Sequence, residues 1–166
     1  MLASTLKDRA LLTLNDAVKV GTIDEVFLDA QLQQVVGFRL KRAGLFGTAE
    51  TVPRTAIIAV GPDALTIASH DAVTTAAHLP WLADARTLTQ ALSMKVVTEG
   101  GELVGTIADL TLDDTARTVG GYLLSASLIA RWRHQQPEIA AGPQVHVGTG
   151  DIIIVPNDLP EMTAQP

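Results

Sequence analysis

Apolar and polar side chains alternate in short runs along most of this chain. Leu12 and Leu14 bracket Thr13, Val26 and Leu28 alternate with Glu25, Phe27 and Asp29, and Phe38 and Leu40 alternate with Arg39 and Lys41. A period of two predicts half-buried antiparallel strands. Strand-length runs also stand at 57–60 and 64–68, with Asn15-Asp16, Asp29-Ala30-Gln31 and Gly61-Pro62-Asp63 as turns between them. Further strands are predicted at 94–98, 103–112 and 121–124, and a hairpin around Gly148-Thr149-Gly150 closes the pattern. Between the two series, residues 74–78 predict a helical turn stopped by Pro80. Asp84 is positioned to cap a short helix reaching Leu92. The last eleven residues contain three prolines and no periodicity, and predict a frayed tail.

The two series are one pattern written twice. Val20-Gly-Thr-Ile-Asp-Glu-Val-Phe-Leu-Asp29 returns as Val104-Gly-Thr-Ile-Ala-Asp-Leu-Thr-Leu-Asp113, with six of ten positions identical at an offset of 84. Gly37-Phe38 matches Gly121-Tyr122 at the same offset, and Val60-Gly61 matches Val147-Gly148 at 87. The loop after the third strand is therefore three residues longer in the second copy. A repeat of this length means one small fold made twice. The division it predicts is a first repeat at 1–72, a linker at 73–87, a second repeat at 88–158 and a tail at 159–166. Gly21 and Gly105 fall inside strands, where a bend or close backbone approach is expected.

Composition narrows the classes. Of 166 residues, 47% are hydrophobic, enough apolar surface to exclude disorder. There is no cysteine, which removes disulfides, thiol catalysis and thiolate metal sites. Residues 1–83 carry 7 basic and 8 acidic side chains, and residues 84–166 carry 5 and 10. Neither half has the basic field of a nucleic-acid binder, so direct nucleic-acid contact is not expected. No apolar run reaches the ~18 residues of a membrane span, and the first residues lack a signal-peptide apolar stretch. A soluble, cytoplasmic protein without a membrane span is the resulting expectation.

The order of motifs resembles a known family. A strand holding Val-Gly-Thr-Ile leads through a polar bend to apolar-x-Leu-Asp, and a Gly-aromatic strand follows. Then come Gly44-Leu45-Phe46-Gly47, Val52-Pro53 before a short turn and Ile57, and Gly61-Pro62-Asp63-Ala64-Leu65. This is similar to the PRC-barrel, the small β-barrel of the photosynthetic reaction-centre H subunit and of a ribosome maturation factor. The second copy lacks the Gly-Leu-Phe-Gly and Val-Pro steps and has residues 127–142 in their place. The resemblance implies an all-β protein of two tandem small barrels with short helical turns in the linker. It also implies a non-catalytic scaffold or adaptor that binds a protein or RNA partner. It brings no shared set of functional residues.

Candidate chemistry is sparse. Asp29 and Asp113 each precede a turn, and recurrence in both copies favours a turn-capping role over a carboxylate pair. Asp24-Glu25 and Asp113-Asp114 lack the spaced loop that calcium requires. His70, His78, His134 and His146 show no zinc spacing. No serine sits in a nucleophile elbow, and Gly148-Thr149-Gly150 lacks the Lys-Ser/Thr of a phosphate loop. No catalytic residue, metal or cofactor is expected. Arg39 and Lys41, with Arg54, make a small basic patch or a solvated sheet face. Trp81 is expected to pack between the two barrels. Arg131-Trp132-Arg133-His134 is the basic, aromatic cluster, in the long loop of the second copy. Arg131, Trp132 and Arg133 contact a protein partner, since Trp and Arg dominate interface hot spots, or stack on nucleic acid, or Trp132 seals the barrel or the inter-domain seam with solvated arginines on either side. Three functions remain open: a protein-binding scaffold, which a homodimer would suit; a small-molecule binder in an inter-barrel groove; and an RNA-associated assembly factor.

Overall fold

The computed structural model describes residues 1–125 and 138–158. A 3-10 turn at Ala3–Leu6 precedes β1 (Ala10–Thr13), β2 (Lys19–Leu28), β3 (Val35–Leu40), β4 (Glu50–Pro53), β5 (Ala59–Val60) and β6 (Ala64–Ile67). The connection holds β7 (Thr74–Thr75), β8 (Arg86–Thr87) and α1 (Leu88–Ala91). The second copy then runs through β9 (Lys95–Thr98), β10 (Leu103–Leu112), β11 (Val119–Ser125), β12 (Glu138–Ala140), β13 (His146–Val147) and β14 (Ile152–Val155). The first sheet is ordered β5-β6-β1-β2-β3-β4-β7, with β8 also on β2, and the second is β13-β14-β9-β10-β11-β12. One six-stranded unit is thus built twice, and its irregularities repeat too. The ladder skips Val20 and Val104, Asp24 and Ala108, and Val36 and Gly120 at matching places. Bulges of this kind bend and twist a strand without ending its pairing.

The protein is mostly β, with two sheets, and the expected closed barrels are not formed. Among the described residues, each ladder is open: β5 and β7 end one, β13 and β12 the other. β5, β7 and β13 are two residues long, too short to zip a sheet onto itself; short edge strands blunt an open edge instead. Most pairings are antiparallel, as the alternation predicts, and two are not. β1 pairs with β6, and β9 with β14, in parallel. The intervening strands of each unit make the long crossover that parallel pairing needs. The helical turn expected at 74–78 forms over Ala76–His78 as a 3-10 turn, with Thr74–Thr75 in strand, and Pro80 opens a second 3-10 turn at Pro80–Ala83. α1 is capped by Thr87, not Asp84, because Thr87 and Gln90 form a reciprocal capping box.

The connection is hydrogen-bonded into the first sheet. β7 pairs with β4 and β8 with β2, and the segment that opens each copy lies on the long strand of the other. Leu2 bridges Thr111, Met1 N donates to Leu112 O at 2.8 Å, and Leu112 N returns a bond to Met1 O at 2.7 Å. In the opposite sense, Arg86 and Thr87 pair with Leu28 and Phe27. Ser4 donates its hydroxyl and its N–H to Asp109, and Thr89 Oγ1 donates to Glu25 at 2.5 Å. Glu25 and Asp109 are equivalent residues, 4% and 8% exposed, and each is satisfied by a hydroxyl from the other copy. Buried carboxylates demand such partners. The exchange explains why β2 departs from simple alternation: Glu25 to Leu28 are all buried, since both faces are covered.

The two β-turns that follow the long strands meet at a pseudo-two-fold axis. Val35 N donates to Arg117 O and Val119 N to Gln33 O, both at 2.8 Å, around a bridge between Gln34 and Thr118. Leu32 and Ala116 occupy the left-handed region at φ 54° and 50° and are fully buried. Their carbonyls are capped differently: Tyr122 Oη donates to Leu32 O at 3.2 Å, and Arg54 Nε to Ala116 O at 3.0 Å. One continuous apolar core, from Leu6 and Phe38 to Tyr122 and Val155, spans both copies. Unfolding is therefore expected to be a single cooperative transition, with coincident urea curves by circular dichroism and tryptophan emission. Tyr122→Phe is expected to lower the unfolding free energy by about 1 kcal/mol and Arg54→Ala by about 3 kcal/mol, read from the same curves.

Candidate functional site

The loop from β3 to β4 places two bulky apolar side chains in solvent. Lys41 N bonds Thr22 O at 2.8 Å, and Lys41 Nζ bonds Asp8 Oδ1 at 2.6 Å, so the base of the loop is tied to the first sheet. The hydrogen bond and charge of Lys41 hold Asp8 below the usual carboxylate range, and Asp8 raises Lys41 in return. Gly44 takes φ +74°, which side chains disfavour, and a Cβ at Gly47 would stand 2.4 Å from Ala43 O. Between these glycines Leu45 and Phe46 are 91% and 99% exposed. Exposed apolar residues are ordinary singly, but an adjacent Leu-Phe pair wholly in water stands out from that background.

Below the loop lies an open cleft of about 550 Å³, lined by Asp24, Arg39, Lys41, Arg42 and Ala49. Arg39 donates Nε and Nη2 to Asp24 Oδ2 at 3.0 and 2.8 Å. Arg42 is exposed and makes no ion pair among the described residues. Cations beside an apolar knob suit the capture of a partner with acidic and apolar side chains. The expected patch of Arg39, Lys41 and Arg54 is split. The first two reach this cleft, while Arg54 is 6% exposed at the seam, bound to Ala116 O, Thr115 O and Ile57 O. Alternation along β3 located Arg39 and Lys41; nothing in the local sequence shows that Arg54 turns inward.

The remaining candidates resolve into structural roles. Asp29 Oδ1 accepts from Gln33 N at 2.7 Å and Gln34 N at 2.9 Å, and Asp113 Oδ1 from Arg117 N at 2.8 Å. Both act as turn caps, as the repeat implied. Trp81 packs edge-on against Phe27, with ring centroids 6.2 Å apart, covers Gly37 of the first sheet, and lines a concavity shared with Arg117 of the second copy. His78 Nδ1 is 3.1 Å from Thr75 Oγ1, and His146 sits on β13 opposite Ile154. Among the described residues, no three His, Asp or Glu side chains converge as a metal site would need. Gly148-Thr149-Gly150 joins β13 to β14. Arg131, Trp132, Arg133 and His134 lie outside the described residues. Among the described residues no helix is long and apolar enough to cross a membrane.

Fold and surface together define a mostly-β protein made of one six-stranded unit repeated and clasped to its copy. No protein-family model matches the chain, and no curated protein matches it.

Burial pushes the Asp113 carboxyl up, but bonds from Arg117 N, the Thr115 hydroxyl and Thr118 outweigh it and hold the group below the usual carboxylate range. A carboxylate depressed on folding contributes stability that is present above its unfolded pKa and lost as pH falls through the folded one. Asp113→Asn keeps an acceptor oxygen but removes the charge. It is expected to be less stable than the parent at pH 7 and to converge with it below about pH 3. The difference is small because the side chain is exposed, and urea midpoints at the two pH values measure it.

Proposed function

We propose that the chain is a non-catalytic, PRC-barrel-like scaffold of the cytoplasm that binds a protein partner through its β3–β4 loop. The observation that carries this reading is the near-complete exposure of Leu45 and Phe46 above a cleft lined by Arg39, Lys41 and Arg42. Aromatic anchors with arginines beside them are the usual hot spots of protein interfaces. The corresponding β11–β12 loop of the second copy carries Arg131, Trp132 and Arg133 in its sequence, and a partner spanning both copies would take that cluster as its second anchor. The family reading rests on the order of sequence motifs, found twice. Homodimerisation belongs to the same proposal. The outer face of β14, β9 and β10 leaves Leu103, Ile152 and Ile154 between 41% and 58% exposed, apolar area that a second copy would cover.

A tagged protein and its Leu45→Ser/Phe46→Ser variant, each used in a nuclease-treated pull-down read by mass spectrometry, test the adaptor reading. Stoichiometric partners that survive nuclease and fall at least tenfold in the variant are expected. The variant's urea midpoint should stay within about 0.5 kcal/mol of the parent, as for other exposed sites. An identical set of captured proteins with both forms would overturn the loop's role, and partners lost on nuclease treatment would replace it with an RNA-associated one. Sedimentation equilibrium that finds only monomer at high concentration would remove the dimer.

A further inference from the structure

A second concavity lies where the copies meet, away from the Leu45–Phe46 loop. This groove of about 280 Å³ is lined by Gln34, Val36, Pro53, Thr55, Trp81 and Arg117, with Arg54 in its wall. One side is apolar. Trp81 is held by Phe27, Val36 is the residue that the β2–β3 ladder skips, and Pro53 ends β4. The other side is cationic. The Arg54 guanidinium is bonded to three carbonyl oxygens and to no carboxylate among the described residues, so its full charge stands in the groove wall. Two of its five N–H donors remain uncommitted among the described residues. Burial chiefly lowers Arg54, and the charge of Arg117, exposed at the mouth, lowers it further; the Arg117 side chain forms no ion pair among the described residues. Asp113 is the acid near this pair, and its carboxylate is occupied by the donors of its own turn.

Repetition separates the apolar side of this groove from the requirements of the fold. The positions of the second copy that correspond to Val36, Pro53 and Arg54 are Gly120, Ala140 and Ala141. Small residues there support the same strand order, so the sheet does not need Val36 and Pro53, whereas Arg54 also caps Ala116 O. Two guanidinium groups without acid partners beside a tryptophan wall match an anion that carries an apolar body. We propose that the groove is a binding site for a small carboxylate, with the carboxylate held by Arg117 at the mouth and the apolar body on Trp81, Val36 and Pro53. Arg and carboxylate match as paired donors and acceptors, and the volume, just under the range of drug-sized sites, fits a small acid. The site is independent of the adaptor reading and stands or falls separately.

Trp132→Phe leaves Trp81 as the one indole of the chain, so emission reports on the groove. In that background, titration with phenylacetate is expected to give a saturable change. Phenylacetamide, of the same shape without the charge, is expected to bind at least tenfold more weakly. Arg117→Gln and Thr55→Asp, both at exposed rim positions, are expected to weaken phenylacetate at least tenfold and leave phenylacetamide unchanged. Lys95→Gln, on the second sheet, is expected to change neither. Urea midpoints confirm that each variant is folded. No saturable response to phenylacetate, an equal response to the amide, or the same response to inorganic phosphate alone would overturn the proposal.

Discussion

Two backbone hydrogen bonds, Val35 N to Arg117 O and Val119 N to Gln33 O, set the relation between the halves of this molecule. They require both turns to present a free carbonyl and a free N–H at the same place. Asp29 and Asp113 make that possible by taking up the other turn donors, and the left-handed residues Leu32 and Ala116 bring the chain round. The buried carbonyls of Leu32 and Ala116 then need donors from elsewhere, since an unpaired buried acceptor is unfavourable. Tyr122 and Arg54 supply them. The burial of Arg54, and with it the cationic wall of the seam groove, descends from this one junction.

The junction is symmetric, and the surface around it is not. One side caps its carbonyl with a phenol, the other with a guanidinium. One copy carries Trp81 over Gly37; at the equivalent Gly121 the space is filled by Glu138. One β3–β4 loop is short, glycine-bounded and apolar at its tip, while its counterpart is longer and basic-aromatic in sequence. A repeated fold holds its internal contacts in common and is free to differ where it meets solvent, and binding surfaces are built from such differences.

Much of this was legible in the residues. The Val-Gly-Thr-Ile phrase located both long strands, the change of offset from 84 to 87 located the longer loop, and the paired aspartates read as turn caps. The exchange of opening segments was not legible, because Ser4 and Thr89 are ordinary polar residues and Glu25 has the look of a solvent-facing strand position. Burial of such a side chain depends on a partner 64 residues away, which local periodicity does not see. The absence of barrel closure follows from the length of edge strands such as β5, and short apolar runs do not reveal where pairing stops. For the candidate surface, the signal lay in Gly44-Leu45-Phe46-Gly47: bulky residues between glycines have no alternating neighbour to pack them inward.

The exchanged segments also order events in time. The bridge from Leu2 is to Thr111, so Leu2 has no partner until more than a hundred further residues exist. At the usual pace of synthesis, about 5–20 residues per second, that interval is roughly 5–20 s, far longer than the microseconds in which hairpins form. The first sheet waits in the same way for residues 86–91 to cover Glu25 and Phe27. The nascent chain therefore emerges with one half unclasped, and the contacts of Leu2 wait for residues made long after it.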